Sequence, residues 1–120
     1  MPTNTNTLKD HLSRSREITI SVTGRKSGRT ISNPVWFALD GDKLYLLPVQ
    51  GSGTQWYKNV LKNPSIRVKA GEAQADLKPD AILDPEQVKP VVEKFRKKYG
   101  AGDVKKYYSK FDVALVAHLP

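Results

Sequence analysis

The chain contains no cysteine. Disulfide scaffolds, thiolate nucleophiles and cysteine-ligated metals are thereby excluded. The absence fits a reducing, cytoplasmic setting. Histidine is scarce as well: His11 and His118 stand near opposite ends of the chain, so a histidine-rich metal site is not expected. No apolar run approaches the roughly 18 residues of a membrane helix. The polar start, residues 1–16, does not read as a signal peptide. Membrane partners are therefore not expected. Acidic residues are in the minority, 12 against 20 basic, for a net charge of +8.

What remains is an ordinary globular composition of 120 residues, 38% hydrophobic, with a mean hydropathy of −0.52. That length holds one core. The expected organisation is a polar tail with a short helix over 1–16 and a single domain over 17–120. Positive charge is concentrated. Between Lys89 and Lys110 lie eight basic and two acidic residues, against twelve and ten elsewhere. Arg25, Lys26 and Arg29 form a second, shorter basic feature. A polyanion and a phosphorylated small ligand are both open as partners.

Residues 1–7 read as disordered, and 8–16 as one or two helical turns. Ile18, Ile20 and Val22 alternate with Thr19, Ser21 and Thr23, which predicts a strand over 17–23. Gly24 to Gly28 is a tight basic turn. A second strand is expected over 30–39, with Pro34 marking an edge or a bulge. Asp40-Gly41-Asp42 predicts a hairpin into a third strand over 43–49. Thr54 is placed to cap a helix over 55–62 that Asn63-Pro64 stops. Ile66, Val68 and Ala70 mark a fourth strand, and a fifth follows over 73–83. Asp84-Pro85-Glu86-Gln87 opens a helix with a capping aspartate and an N1 proline. Pro90 argues for a start nearer Gln87, and Gly100 and Gly102 are its expected stops. Alternation from Phe111 to Leu119 closes the chain with a last strand. Six mostly antiparallel strands with two or three helices give a mainly β, α+β chain, a closed or nearly closed barrel.

Three segments have the chemistry to hold a ligand. Thr23-Gly24-Arg25-Lys26-Ser27-Gly28 joins two flexible glycines, two cations and a hydroxyl, a grip for phosphate or carboxylate. A solvated basic hairpin turn is the competing account. Asn33-Pro34-Val35-Trp36-Phe37 frees backbone groups beside an indole, which suits a planar heteroaromatic ligand. An edge strand with core aromatics explains the same residues. Gly51-Ser52-Gly53-Thr54 runs into a helix bearing Trp56, Tyr57 and Asn59, where free N–H groups can meet an anion. Otherwise those aromatics simply face the core. The lysine-rich stretch from Lys89 to Lys106 reads first as a solvated face. His118 reads as structural. No nucleophile–base pair emerges, so hard chemistry would belong to a bound cofactor.

Taken together, T-G-R-K-S-G, N-P-V-W-F, the D-G hairpin, L-Y-L-L-P-V-Q-G-S-G and W-Y-K-N-V-L-K-N-P resemble the deazaflavin-dependent nitroreductase family, most densely over Thr23–Val68. That family is among the split β-barrel, FMN-binding-protein-like oxidoreductases. The resemblance implies coenzyme F-420 as cofactor and a small-molecule acceptor: a quinone, an enone or a nitro compound. It implies that Arg25, Lys26 and Ser27 hold the anionic tail. Asn33, Pro34 and Trp36 would lie beside the deazaflavin. Gly51, Trp56 and Asn59 would complete the groove, and Tyr107 or Tyr108 would face the substrate. A homodimer is also implied. Ile31 and Gln50 stand where the family often carries basic residues, which keeps FMN as the alternative cofactor. A flavin carrier without turnover and a basic nucleic-acid-binding barrel are the rival functions, the latter less favoured for want of an exposed aromatic ladder.

Overall fold

Ile18, Ile20 and Val22 are buried along β1 (Ile18–Thr23), as their alternation requires. The computed structural model describes residues 4–119. After β1 come β2 (Thr30–Val35), β3 (Phe37–Asp40), β4 (Lys43–Leu46), β5 (Ile66–Ala70), β6 (Ala73–Leu77), β7 (Asp80–Ile82) and β8 (Ala114–His118). The helices are α1 (Asn4–Arg14), α2 (Gln55–Lys62), α3 (Pro85–Tyr99) and α4 (Ala101–Tyr107). No described helix is long and apolar enough to cross a membrane.

The strands form two four-stranded antiparallel sheets, β2-β1-β5-β6 and β3-β4-β8-β7. The chain changes sheets three times, once through α2 and twice by bending a strand. It bends at Trp36 between β2 and β3, and at Lys78-Pro79 between β6 and β7. Each pair is one long strand folded over a corner, so eight segments make a closed ring of six. This is the split barrel. The strands expected over 30–39 and 73–83 are thus each two segments, and the interruption in the first falls at Trp36 rather than at Pro34, which sits opposite Thr19 within β2. Neither corner residue pairs within a strand, and each bent strand serves two sheets.

Two cores result. The barrel interior holds Ile20, Phe37, Leu44, Ile66, Val68 and Leu115, with Trp56, Tyr57 and Val60 of α2 closing one end. Leu8 and Leu12 of α1 are each 1% exposed and seal against the same cluster. Burying each leucine stabilises by about 2 kcal/mol relative to exposure. The helix therefore begins earlier than expected, and residues 4–7 are helical rather than disordered. Residues 1–3 lie outside the described residues. The second core sits outside the barrel, where Val88, Val91, Val92, Phe95 and Tyr99 of α3 pack on Ala38, Leu47 and Ala114.

Asp84 caps α3 by accepting from the Glu86 N–H at 3.0 Å, with Pro85 in the first turn. The helix runs through Pro90, contrary to a start near Gln87. Pro90 forfeits one hydrogen bond, and the apolar stripe on the buried face outweighs that loss. Gly100 (φ 95°) ends α3, but Gly102 lies inside a further helix, α4, which sequence reading missed. Val104 anchors α4 by burial.

Tyr99 ties these parts together. Its hydroxyl accepts from the Phe37 N–H at 3.1 Å and donates to the Arg16 carbonyl at 2.6 Å. Its ring stacks on Trp36 with centroids 4.1 Å apart and planes 6° from parallel. Phe37 immediately follows the first corner, where strand bonding is interrupted. Tyr99→Phe keeps the stack and strands two backbone groups. It is expected to cost about 1–3 kcal/mol, read as a lower urea midpoint. An unchanged midpoint would show that the hydroxyl does not hold the corner.

Candidate functional site

An open cleft of about 500 Å³ lies at the Trp36 corner, within the size range of small-ligand sites. Asn33, Pro34, Val35 and Trp36 supply one wall from the end of β2. Leu47 and Val49 follow β4, Trp56 comes from the start of α2, and Tyr107 and Tyr108 end α4. Glu17, just before β1, completes the lining. β2 is the outer strand of its sheet. One row of its backbone groups consequently has no strand partner there.

The aromatic wall is rigid on its inner side. Trp36 rests on Tyr99, with Tyr107 edge-on at 5.5 Å and Tyr108 tilted at 6.0 Å. Phe95 supports Tyr108 from below at 5.9 Å. Tyr107 is 53% exposed, whereas Tyr108 is 6% exposed. The described residues contain no fully buried side-chain polar atom without a partner. Tyr108 lines this cleft and also a second hollow, beside Arg96 of α3 and Phe111. Burial, and to a lesser degree Tyr99, raises its pKa. The phenol therefore keeps its proton at neutral pH and can donate a hydrogen bond.

The basic turn adjoins this cleft through α2. Arg25 donates from its backbone and its guanidinium to Asn59 Oδ1, at 3.1 and 2.8 Å. Its second nitrogen donates to Gln55 Oε1 at 2.8 Å. Gln55 is the neighbour of cleft-lining Trp56. Within the turn, the Gly24 N–H donates to the Arg29 carbonyl, the Gly28 N–H to the Gly24 carbonyl, and the Arg29 N–H to Ser27 Oγ. Arg25 and Asn59 are committed to each other, so they shape the turn. Lys26 and Arg29 are exposed and take part in no ion pair among the described residues. Arg29 is about 13 Å along the strand from Asn33, at strand rise.

Of the residues singled out by sequence, Asn33, Pro34, Trp36, Trp56, Tyr107 and Tyr108 converge on the cleft. Arg25, Lys26, Ser27, Gly51 and Asn59 do not line it. Gly51 (φ 55°) is buried against Asp112, and a Cβ there would meet Asp112 Oδ1 at 2.0 Å. Asp112 instead accepts from the Ser52 N–H at 2.9 Å and the Ser52 hydroxyl at 2.6 Å. Thr54 holds the N-cap position of α2 without capping it. Its Oγ1 accepts from the Gln50 N–H at 2.8 Å and folds the preceding 3-10 turn instead. Glu17, Leu47 and Val49 were missed as lining residues. Leu47 and Val49 lie in a quoted motif, while Glu17 carries no sequence signal.

The lysine-rich face is less free than its composition implies. Lys94 pairs with Asp40 at 3.3 Å, Lys89 with Glu86 at 3.6 Å, and Arg96 with Glu93. Lys98, expected on the solvated side, turns back. It donates to the Phe37 carbonyl at 3.0 Å, and its ammonium lies 3.3 Å from the Phe37 ring centre. Burial of the ammonium, aided by the Arg16 charge, pushes its pKa down to about 8. His118 is exposed on β8 opposite Lys43, rather than held in the core. No group of three or more metal-ligating side chains occurs among the described residues.

A family model described as "Uncharacterized protein conserved in bacteria (DUF2255)" matches residues 9–114. The chain belongs to that family. Solved structures similar to this DUF2255 chain share its fold at low identity. An F-420-H2-dependent reductase is 18% identical, with a TM-score of 0.67 over 86% of this chain and 94% of that one. A protein described as a domain-swapped dimer is 16% identical, with a TM-score of 0.69 over 97% and 100%. The heme storage protein HutZ from Vibrio cholerae is 13% identical, with a TM-score of 0.70 over 96% and 88%. The split-barrel fold is common to a reductase and a storage protein, so the activity of this DUF2255 chain must be argued from its own site.

The Ser52–Asp112 clamp gives a pH test. Burial raises the Asp112 pKa, but the Ser52 hydroxyl and N–H, helped by Lys110, outweigh it and hold the carboxyl below its ordinary 3.8. A depressed folded-state pKa contributes stability that is present above the unfolded value and lost as pH falls through the folded one. The stability gap between the wild type and Asp112→Asn is therefore expected to be flat near neutrality and to close below pH 3.8. A gap that is independent of pH would show that the charge on Asp112 is not what holds the turn.

Proposed function

We propose that this DUF2255 chain is a reductase that uses a reduced deazaflavin, coenzyme F-420, to reduce a small electron-poor acceptor. One observation carries the reading: an aromatic cleft beside an unpaired strand edge, with an exposed basic turn at the far end of that strand. The donor set fits the cofactor. Trp36 and Trp56 offer flat apolar surface, while Asn33 and the β2 edge offer polar groups to a ring margin. Lys26 and Arg29 lie where an anionic tail running along β2 would end. Arg25 belongs to the same turn but acts by shaping it through Asn59. Ser27 does likewise by accepting from Arg29. Gly51 allows the close turn that brings the α2 start, and Trp56 with it, to the cleft.

When bound, the reduced coenzyme supplies a hydride and is itself oxidised by two electrons. The protein's part is orientation and hydrogen bonding. Trp36, braced by Tyr99, fixes one face. The Tyr108 hydroxyl would act as a hydrogen-bond donor to the acceptor atom that gains charge on reduction. Tyr107, half in solvent, shapes the entrance. A homodimer would extend the cleft across a two-fold axis, and a structurally similar protein is described as a dimer.

An FMN-binding protein or a flavin carrier of the same fold is the second reading. It is favoured by Ile31 and Gln50, which leave the tail with fewer cations, and by the likeness to a heme storage protein. The nucleic-acid reading is weaker, because much of the basic helix is engaged within the molecule.

A parallel fluorescence titration with F-420 and FMN tests the proposal. F-420 is expected to bind at micromolar or tighter concentration, and Lys26→Ala to weaken it about tenfold. Selective FMN binding would replace the cofactor, and no binding by either would end the reading. In turnover with reduced F-420, Tyr108→Phe should lower kcat about 100-fold and leave F-420 affinity unchanged. An unaltered kcat would show that the Tyr108 hydroxyl does not assist the acceptor.

A further inference from the structure

We infer that the cleft selects cationic heteroaromatic acceptors, with Glu17 as the residue that sets this preference. The inference rests on the reading of the cleft as the acceptor site, and it narrows the acceptor class. The chain carries a net charge of +8. Yet Glu17 is the only charged side chain among those lining the cleft. No lysine or arginine faces the bound volume. Glu17 is exposed and joins no ion pair among the described residues. Its charge is thus free for a ligand rather than spent inside the fold.

The remaining walls work in the same direction. Trp36, Trp56, Tyr107 and Tyr108 share the cleft lining with Glu17. Aromatic faces carry negative quadrupole charge and attract cations, most strongly where water is excluded. The cluster already draws cations. The Arg16 guanidinium lies over the Tyr99 and Trp36 rings at 5.2 and 5.9 Å, and the Lys106 ammonium over Tyr107 at 5.4 Å. A flat cation would gain from both the rings and Glu17. An anion would meet like charge at Glu17, a repulsion that discriminates as effectively as an attraction does. A nitro group, whose oxygens gain negative charge on reduction, is disfavoured beside a carboxylate for the same reason. A quaternised nitrogen ring is both electron-poor and positively charged, and it satisfies every wall.

Both tryptophans of the chain line this cleft, so intrinsic fluorescence reports its occupancy without cofactor or turnover. The probes are 1-methylquinolinium, a permanent cation, and quinoline, its neutral counterpart at pH 8. The wild type is expected to bind the cation about tenfold more tightly. Glu17→Gln should bring the two affinities within about twofold by weakening the cation alone. Three results would overturn the inference: equal affinities in the wild type, a preference that survives Glu17→Gln, or no quenching by either probe. Glu17→Gln is surface-exposed and breaks no ion pair, and its urea midpoint serves as the folding control. An F-420 titration of the same two proteins separates the two readings. Cation preference without F-420 binding supports the inference and removes the cofactor assignment. F-420 binding without cation preference retains the cofactor and overturns the inference.

Discussion

The contact between Tyr99 and the Trp36 corner is the constraint on which the rest of the structure depends. A barrel built from two sheets needs strands that change sheets, and at each change the ladder is interrupted. At Trp36 the interruption is repaired from outside. The Tyr99 hydroxyl satisfies the Phe37 N–H, and the Tyr99 ring supports the indole. Lys98 adds a hydrogen bond to the Phe37 carbonyl. An α3 helix that packs outside the barrel thereby controls the geometry of its corner.

That arrangement also makes the cleft. With Trp36 held against Tyr99, its ring cannot fold into the barrel interior, and the space beside it stays open. Tyr108, placed by α4, closes one side. The exposed basic turn is set from the opposite direction, because Arg25 is pinned to Asn59 and Gln55 of α2. Two independent supports, α3 and α2, therefore fix the two ends of one strand. A ligand spanning them would find a preorganised surface, which reduces the ordering cost of binding.

The electrostatics divide along the same strand. Exposed cations stand at the turn, while the one charged residue lining the cleft is Glu17, with Arg16 and Lys106 against the rings beside it. A ligand with an anionic tail and a separate, cationic reaction partner suits that division. A uniformly charged polymer does not. Several lysines that suggested a polyanion surface are occupied by Asp40, Glu86 and Phe37. Net charge alone was thus a poor guide to what this protein holds.

The sequence by itself determined the local elements. Alternation in β1, β5 and β8, the Asp40-Gly41-Asp42 hairpin, the α2 span over 55–62 and the Asp84 cap all follow from short-range physics. The family resemblance singled out Asn33, Pro34, Trp36, Trp56 and the two tyrosines, which line one cleft. Tertiary structure alone decided the rest. The corners at Trp36 and Lys78-Pro79 arise because a closed ring forces long strands to bend, which a local pattern does not encode. Gly102 sits in a helix because buried Val104 outweighs glycine's low propensity. Asn59 and Gly51 were legible as special but not as supports, since their partners Arg25 and Asp112 lie far away in sequence. Glu17 was invisible, because a lone carboxylate before a strand gains meaning only when folding brings it to a cleft lined by aromatic residues.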